Sequence, residues 1–234
     1  INIRYLTYIF YIWNMIAVLT ADLIDSSTYK PKFLEQVIET LQLQFDYFEE
    51  KLEEKKNNFS IYRGDSLQGI INRPEKSLLC SFLLKTALNK LESNQKSNII
   101  KADLKLAIGI GSFDLKREEI SESNGEAFQF SGRTLDKMKA GSRKMMLKTP
   151  NMDINAEFDA SLALFDFITD RWSTASAEVI YYLLQGFKEK EIAQIVGISQ
   201  SAVNQRKKTA GWDPISGLLK RFDEKISATF KGNL

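Results

Sequence analysis

The segment that most constrains the fold of this chain lies near its end, at residues 189–208. Gly197 falls where a first helix must stop, because glycine readily adopts the left-handed conformation of a helix end. Ser199 then stands as the N-cap of a second helix. Apolar residues recur at the spacing of core-facing positions on these two helices, at Ile192, Val196, Ile198 and Val203. The segment therefore predicts two short helices joined by a tight turn.

Together with an apolar helix expected at residues 176–186, this order of residues resembles the helix-turn-helix of sigma factors and of response-regulator output domains. The resemblance covers residues 175–212 and implies DNA binding through a reading helix at 199–209. It implies that Ser199 opens this helix, that base edges face Gln200, Ser201, Asn204 and Gln205, and that phosphates pair with Arg206, Lys207 and Lys208. An ordinary pair of short helices is the alternative.

The distribution of charge favours a nucleic-acid partner for the C-terminal part alone. The chain carries 32 basic and 30 acidic residues, which gives a net charge of +2. From Arg171 onward there are 10 basic and 6 acidic side chains, and before it 22 and 24. A basic tail on a slightly acidic body is expected where only the tail touches DNA. We therefore expect double-stranded DNA as a partner, and a homodimer because helix-turn-helix proteins commonly read two half-sites.

The chain lacks histidine and has a single cysteine, Cys80. This composition excludes Ser-His-Asp and Cys-His catalysis, nearly all histidine-ligated zinc chemistry and any intrachain disulfide. Because Cys80 lies in an apolar run, we expect it to be buried in a helix rather than reactive. A reducing cytoplasm is the compartment consistent with this cysteine usage.

Residues 1–14 are strongly aromatic and apolar, and Arg4 precedes an apolar run that extends to Leu19. The run imitates a signal peptide but is too short for a convincing membrane span. Since a DNA-binding tail argues against export, we expect the natural fold to begin at Met15, with residues 1–14 a leader outside it. The signal-peptide interpretation stays open from the sequence alone.

Residues 15–150 alternate between strand and helix patterns, which predicts an α+β domain. Strands are expected at 16–19, 59–63, 67–71 and 104–110, and helices at 31–52, 75–91 and 127–139. This order predicts a ferredoxin-like layer, with helices on one face of a mainly antiparallel sheet. Gly109 and Gly111 are expected where the last strand runs into a turn. Residues 151–172 are expected to form a connecting helix before an all-α helix-turn-helix domain at 173–234.

Two aspartates fall at one end of the predicted sheet. Asp22 ends the first strand, and Asp65 lies on the turn between the second and third. In a ferredoxin-like sheet the first strand lies beside that hairpin, so the two carboxylates can meet. Paired carboxylates suit Mg²⁺, which takes its other ligands from waters and phosphate oxygens. The alternative is structural, with Asp22 capping the following loop and Asp65 an ordinary turn residue.

Four short motifs resemble, in order, the landmarks of class III nucleotide cyclases: Thr20-Ala-Asp22, Arg63-Gly-Asp65, Leu106-Ala-Ile-Gly-Ile-Gly111 and Gly125-Glu-Ala-Phe-Gln129-Phe-Ser-Gly-Arg133. In that family the two aspartates hold two metal ions, which implies Mg²⁺ or Mn²⁺ at Asp22 and Asp65. An Asn and an Arg, supplied by the other subunit of a dimer, stabilise the transferring phosphoryl group. Arg133 falls on the arginine position, whereas Gln129 replaces the asparagine, which weakens the case for catalysis.

From Met15 to the end, a cyclase-like body followed by a sigma-like helix-turn-helix resembles the SatD family of bacterial proteins. The combination predicts a DNA-binding regulator whose body senses a nucleoside triphosphate or another phosphate-bearing ligand. Ligand binding would change the geometry of the homodimer and thereby the spacing of its two reading helices. Two alternatives stay open: an active metal-dependent nucleotide cyclase tethered to DNA, and a catalytically dead scaffold for dimerisation.

Overall fold

The computed structural model describes residues 15–54, 58–95, 98–114 and 124–230, so the leader expected at 1–14 lies outside the described residues. The described strands are β1 (Met15–Leu23), β2 (Phe59–Tyr62), β3 (Ser66–Ile71), β4 (Glu92–Gln95), β5 (Asn98–Lys101), β6 (Leu104–Asp114), β7 (Asn124–Gly125) and β8 (Met145–Lys148). The described α-helices are α1 (Pro31–Leu52), α2 (Ser77–Asn89), α3 (Glu126–Lys139), α4 (Met152–Thr169), α5 (Thr174–Leu184), α6 (Glu189–Val196), α7 (Gln200–Thr209) and α8 (Trp212–Phe230). Short 3₁₀ helices span Ser26–Thr28 and Pro74–Lys76.

The main sheet has β1 at its centre and runs in the order β2-β3-β1-β6 with antiparallel neighbours. β8 joins β6 in parallel, β7 pairs with the far end of β6, and β4 and β5 form a separate hairpin. Alternate residues of β1 serve opposite faces. Leu19 belongs to the hydrophobic cluster that also contains the buried apolar residues of α1 and α2. Val18 belongs to a second cluster, with Ala127 of α3. The prediction of helices on one face is therefore wrong for α3, which covers the other face.

Helix α2 is buried on nearly all sides, which places it between layers rather than on the surface. It contacts the sheet on one side and α5 on another. Cys80 is fully buried within it, as expected from its apolar surroundings. Burial raises the pKa of the Cys80 thiol, so the thiol stays protonated. Among the described residues, no helix has both the length and the apolar character needed to cross a membrane.

Gly109 and Gly111 lie inside β6, so the prediction that they mark a turn is wrong. A Cβ on Gly109 would lie 2.2 Å from the carbonyl oxygen of Ala127, and one on Gly111 would lie 2.8 Å from the nitrogen of the same residue. Real Cβ atoms do not approach backbone so closely. The two glycines therefore allow α3 to pack with its backbone against the strand.

The C-terminal helices share a hydrophobic core with the sheet and its helices. Phe165 of α4 stacks on Phe82 of α2 with ring centroids 3.9 Å apart. Phe222 of α8 meets Phe158 of α4 edge-on at 5.0 Å. The segment expected only to connect two parts thus packs into the centre of the molecule.

A network of charges that runs from the buried Lys85 to the partly exposed Asp170 joins four elements at this junction. Lys85 of α2 is fully buried, and its Nζ lies 2.7 Å from Oδ1 of Asp103, which directly precedes β6. Lys144, directly before β8, lies 2.9 Å from the other Asp103 oxygen and 2.6 Å from Asp170, which follows α4. Asn89 donates a further hydrogen bond to Asp103 at 2.9 Å. Each charge is thus paired, as buried charges require.

Candidate nucleic-acid interface and ligand site

The turn between α6 and α7 is formed by the residues expected to form it. Gly197 adopts a left-handed conformation, with φ of 72°, directly after α6. The backbone N–H groups of Gly197 and Ile198 both donate to the carbonyl of Ala193 at 3.0 Å. Ser199 precedes α7, and its hydroxyl accepts the N–H of Ala202 at 3.2 Å, which caps the helix.

Helices α5, α6 and α7 pack around a small core of their own. Val179, Ile192 and Val203 contribute one fully buried side chain from each helix. The indole of Trp172, just before α5, donates to the carbonyl of Ala210 at the end of α7 at 3.0 Å. The orientation of α7 is therefore fixed at its middle and at its C-terminal end.

The side chains predicted to contact DNA are distributed along α7 and its cap. Two degrees of exposure occur among them. The exposed residues are Ser199, Gln200, Ser201, Gln205 and Lys208, and the half-buried ones are Asn204, Arg206 and Lys207. Val203 is the buried residue of this helix. Helix α7 thus combines one apolar anchor with a polar and basic accessible surface, which is the composition that a DNA-reading helix requires.

One acidic residue that the sequence gave no reason to select contacts this surface. The carboxylate of Glu189, the first residue of α6, lies 3.0 Å from Nζ of Lys207. It also accepts Nδ2 of Asn204 at 3.3 and 3.4 Å. The hydrogen bond from Lys207 is the main cause that holds the pKa of Glu189 below its usual value. Only the tertiary packing of α6 on α7 reveals this contact.

The two candidate metal-binding aspartates lie at the same end of the sheet. Asp22, the penultimate residue of β1, pairs in register with Ser66, and the N–H of Leu23 donates to the carbonyl of Asp65 at 2.8 Å. The Asp65 carboxylate accepts the hydroxyl of Ser26 at 3.1 Å. The neighbouring strands therefore bring the two residues together as the sheet order predicts.

The surroundings of Asp22 bear on whether a metal ion fits there. Nζ of Lys139, at the end of α3, lies 3.4 Å from Oδ2 of Asp22. In the part of the chain that the structure describes, no group of three or more His, Cys, Asp or Glu residues is placed to hold a metal ion. Mg²⁺ commonly takes one or two carboxylates plus phosphate oxygens, and the two carboxylates at this end of the sheet are of the type and number that it uses. An ion bound at Oδ2 of Asp22 would have to displace the Lys139 ammonium.

The candidate phosphoryl-stabilising residues do not join this site within one chain. Gln129 and Arg133 of α3 are both exposed. The residues of α3 that face the sheet include Ala127 and Ser131, and positions two residues later lie roughly on the opposite side of the helix. Gln129 and Arg133 therefore point away from the sheet and from Asp22.

These observations define a mixed α/β protein in which a largely antiparallel sheet, covered by helices on both faces, continues into a packed set of C-terminal helices. The chain belongs to the SatD family, whose model matches residues 15–213. The match begins at the first residue of β1 and includes both candidate sites. No curated protein matches the chain.

Proposed function

We propose that this SatD family member is a DNA-binding regulatory protein in which α6 and α7 form a helix-turn-helix. The observation that carries the proposal is the capped turn at Gly197 and Ser199, which presents α7 with a polar and basic accessible surface. Amide side chains such as Gln200 and Gln205 can bond adenine bidentately in the major groove. Basic side chains such as Lys208 supply the phosphate contacts that position a reading helix.

We further infer that the sheet and its helices form a ferredoxin-like domain that senses a nucleotide or another phosphate-bearing ligand. The strand order β2-β3-β1-β6, with antiparallel pairing throughout, supports this fold. The position of Asp22 and Asp65 at one sheet end supports Mg²⁺ or Mn²⁺ as the ion that would accompany the phosphates. Because Gln129 and Arg133 are exposed and point away from Asp22, a role for them at this site requires a second subunit, so the proposal includes a homodimer.

Fluorescence anisotropy with the full chain tests the DNA proposal. Duplexes selected from a randomised pool provide the specific site, and a scrambled duplex provides the reference. Gln205→Ala should cost about 1–3 kcal/mol at one base position and relax the preference there. Lys208→Gln should weaken binding to all duplexes and reduce the salt dependence by about one phosphate contact.

Lys220→Gln is the matched control, because this lysine of α8 has 79% of its side chain exposed and lies outside the proposed reading helix. It should leave DNA affinity nearly unchanged. Equal affinity of the wild type and Lys208→Gln for every duplex would contradict the proposal.

Thermal unfolding with nucleotide and metal tests the ligand site. ATP or GTP with Mg²⁺ or Mn²⁺ should raise the melting temperature of the wild type, because ligand that binds only the native state stabilises it. The Asp22→Asn/Asp65→Asn variant should lose that rise. If no nucleotide and metal pair shifts the wild type, the body is a scaffold rather than a sensor of these ligands.

A further inference from the structure

Glu189 holds two residues of the proposed reading helix in the free protein. Its carboxylate lies 3.0 Å from Nζ of Lys207 and 3.3 Å from Nδ2 of Asn204. The two charged side chains are only partly exposed, 22% for Glu189 and 25% for Lys207. The contact therefore forms at the margin of the accessible surface of α7, where DNA would bind.

Both held side chains are ones that DNA binding needs. A lysine adds to DNA affinity when it neutralises a phosphate and releases a counterion. An Asn reads adenine only when its amide donors and acceptor are free. A phosphate that approaches Lys207 also approaches the Glu189 carboxylate, and two like charges repel strongly at short range. Glu189 and DNA therefore compete for the same partners.

We propose that Glu189 is an internal competitor of DNA that lowers the affinity of α7 for every duplex, matched sites included. The inference rests on the proposed function. Nonspecific DNA offers a phosphate to Lys207 but no matching base to Asn204, so it has to displace Glu189 only from the lysine. A matched site has to displace Glu189 from both side chains. Glu189 therefore weakens binding to nonspecific DNA, and it weakens binding to a matched site at least as much.

Glu189→Gln tests this role, with Glu191→Gln as its matched control. Both changes remove one negative charge from the first turn of α6, but the Glu191 carboxylate accepts the N–H of Lys188 at 2.7 Å instead of holding α7. In anisotropy titrations of the full chain, Glu189→Gln should bind a scrambled duplex about two- to fivefold tighter than Glu191→Gln. Its salt slope should be steeper by about 0.9, the value of one phosphate contact.

Two further comparisons separate the contact from a general effect of charge or folding. On the scrambled duplex, adding Lys207→Gln to both variants should remove most of the difference in affinity between them, since the lysine that Glu189 releases is then missing. Glu189→Ser should show the same tighter binding as Glu189→Gln.

Three outcomes decide the inference. Tighter binding of the scrambled duplex by Glu189→Gln than by Glu191→Gln, with a gain on the matched duplex that is at least as large, supports it. If the two variants bind DNA with equal affinity and equal salt slope, the inference about Glu189 is overturned, but the proposed function is not. If neither the wild type nor either variant binds any duplex at low salt, the proposed function fails and this inference fails with it.

Discussion

Asp103→Asn should destabilise the protein strongly, because Asp103 is the shared anion of the charge network. Lys85 Nζ lies 2.7 Å from one carboxylate oxygen, and Lys144 Nζ lies 2.9 Å from the other. The Lys85 side chain is fully buried, so it has no access to water when its partner loses charge. Removing one member of a buried pair typically costs about 3–5 kcal/mol for this reason.

Part of this loss of stability can be calculated from the lowered pKa of Asp103. Burial by itself would raise that pKa, but Lys85 and Lys144 outweigh burial and hold it at about 2, against an ordinary value of 3.8. The difference corresponds to about 2.4 kcal/mol of stability at neutral pH. Because the folded-state pKa is the lower one, this stabilisation is complete above pH 3.8 and is lost as the pH falls through about 2.

Urea unfolding followed by circular dichroism at pH 7 and pH 3 measures both effects. At pH 7 the free energy of unfolding of Asp103→Asn should be about 3–5 kcal/mol lower than that of the wild type. At pH 3 this difference should be smaller by about 1 kcal/mol. Glu50→Gln, which removes the anion of a surface pair with Lys51, should change stability by less than about 1 kcal/mol. If Asp103→Asn lowers the free energy of unfolding by less than about 1 kcal/mol, or by the same amount at both pH values, the reasoning is refuted.

Four further substitutions test packing, a buried hydrogen bond and helix capping. Gly109→Ala should lower the free energy of unfolding by about 1–3 kcal/mol or more, because its Cβ would lie 2.2 Å from the Ala127 carbonyl oxygen. Gly132→Ala, with open space around the added Cβ, should be neutral or stabilising in the same urea titration. Trp172→Phe should lower the melting temperature through loss of its indole hydrogen bond, worth about 1 kcal/mol. Ser199→Ala should cost about 1 kcal/mol in urea unfolding by removing the cap of α7, and an unchanged value would contradict that role.

The elements predicted well are those with clear periodicity or a strong end signal. Helices α1 and α3 carry a regular apolar face, and the end of α6 and the cap of α7 follow from Gly197 and Ser199. β8 was not predicted, since its four residues give too short a pattern to detect. The 19-residue helix α8 was also not predicted, since Pro214 and Gly217 interrupt its early turns.

The contacts in the candidate sites also differ in whether local sequence patterns can predict them. The adjacency of Asp22 and Asp65 follows from strand order, which local patterns can predict. The Glu189 contact joins residues 15 and 18 positions apart through the packing of two helices, and no local pattern reports it. Gly109 was misinterpreted for a similar reason, because the need for a missing Cβ arises from α3 and not from the strand.

The shared core limits how a ligand in the body could act on α7. Helix α5 packs on α2, and Gln44 of α1 donates to the Tyr181 hydroxyl of α5 at 2.8 Å inside the buried interface. Lys76 also forms an ion pair with Asp223 of α8. Because these contacts hold the C-terminal helices against the sheet, a hinge between the two parts would have to break buried packing and hydrogen bonds. In the proposed homodimer, a ligand at Asp22 and Asp65 would act more readily by changing how the two protomers are placed relative to each other, which would set the distance between the proposed reading helices.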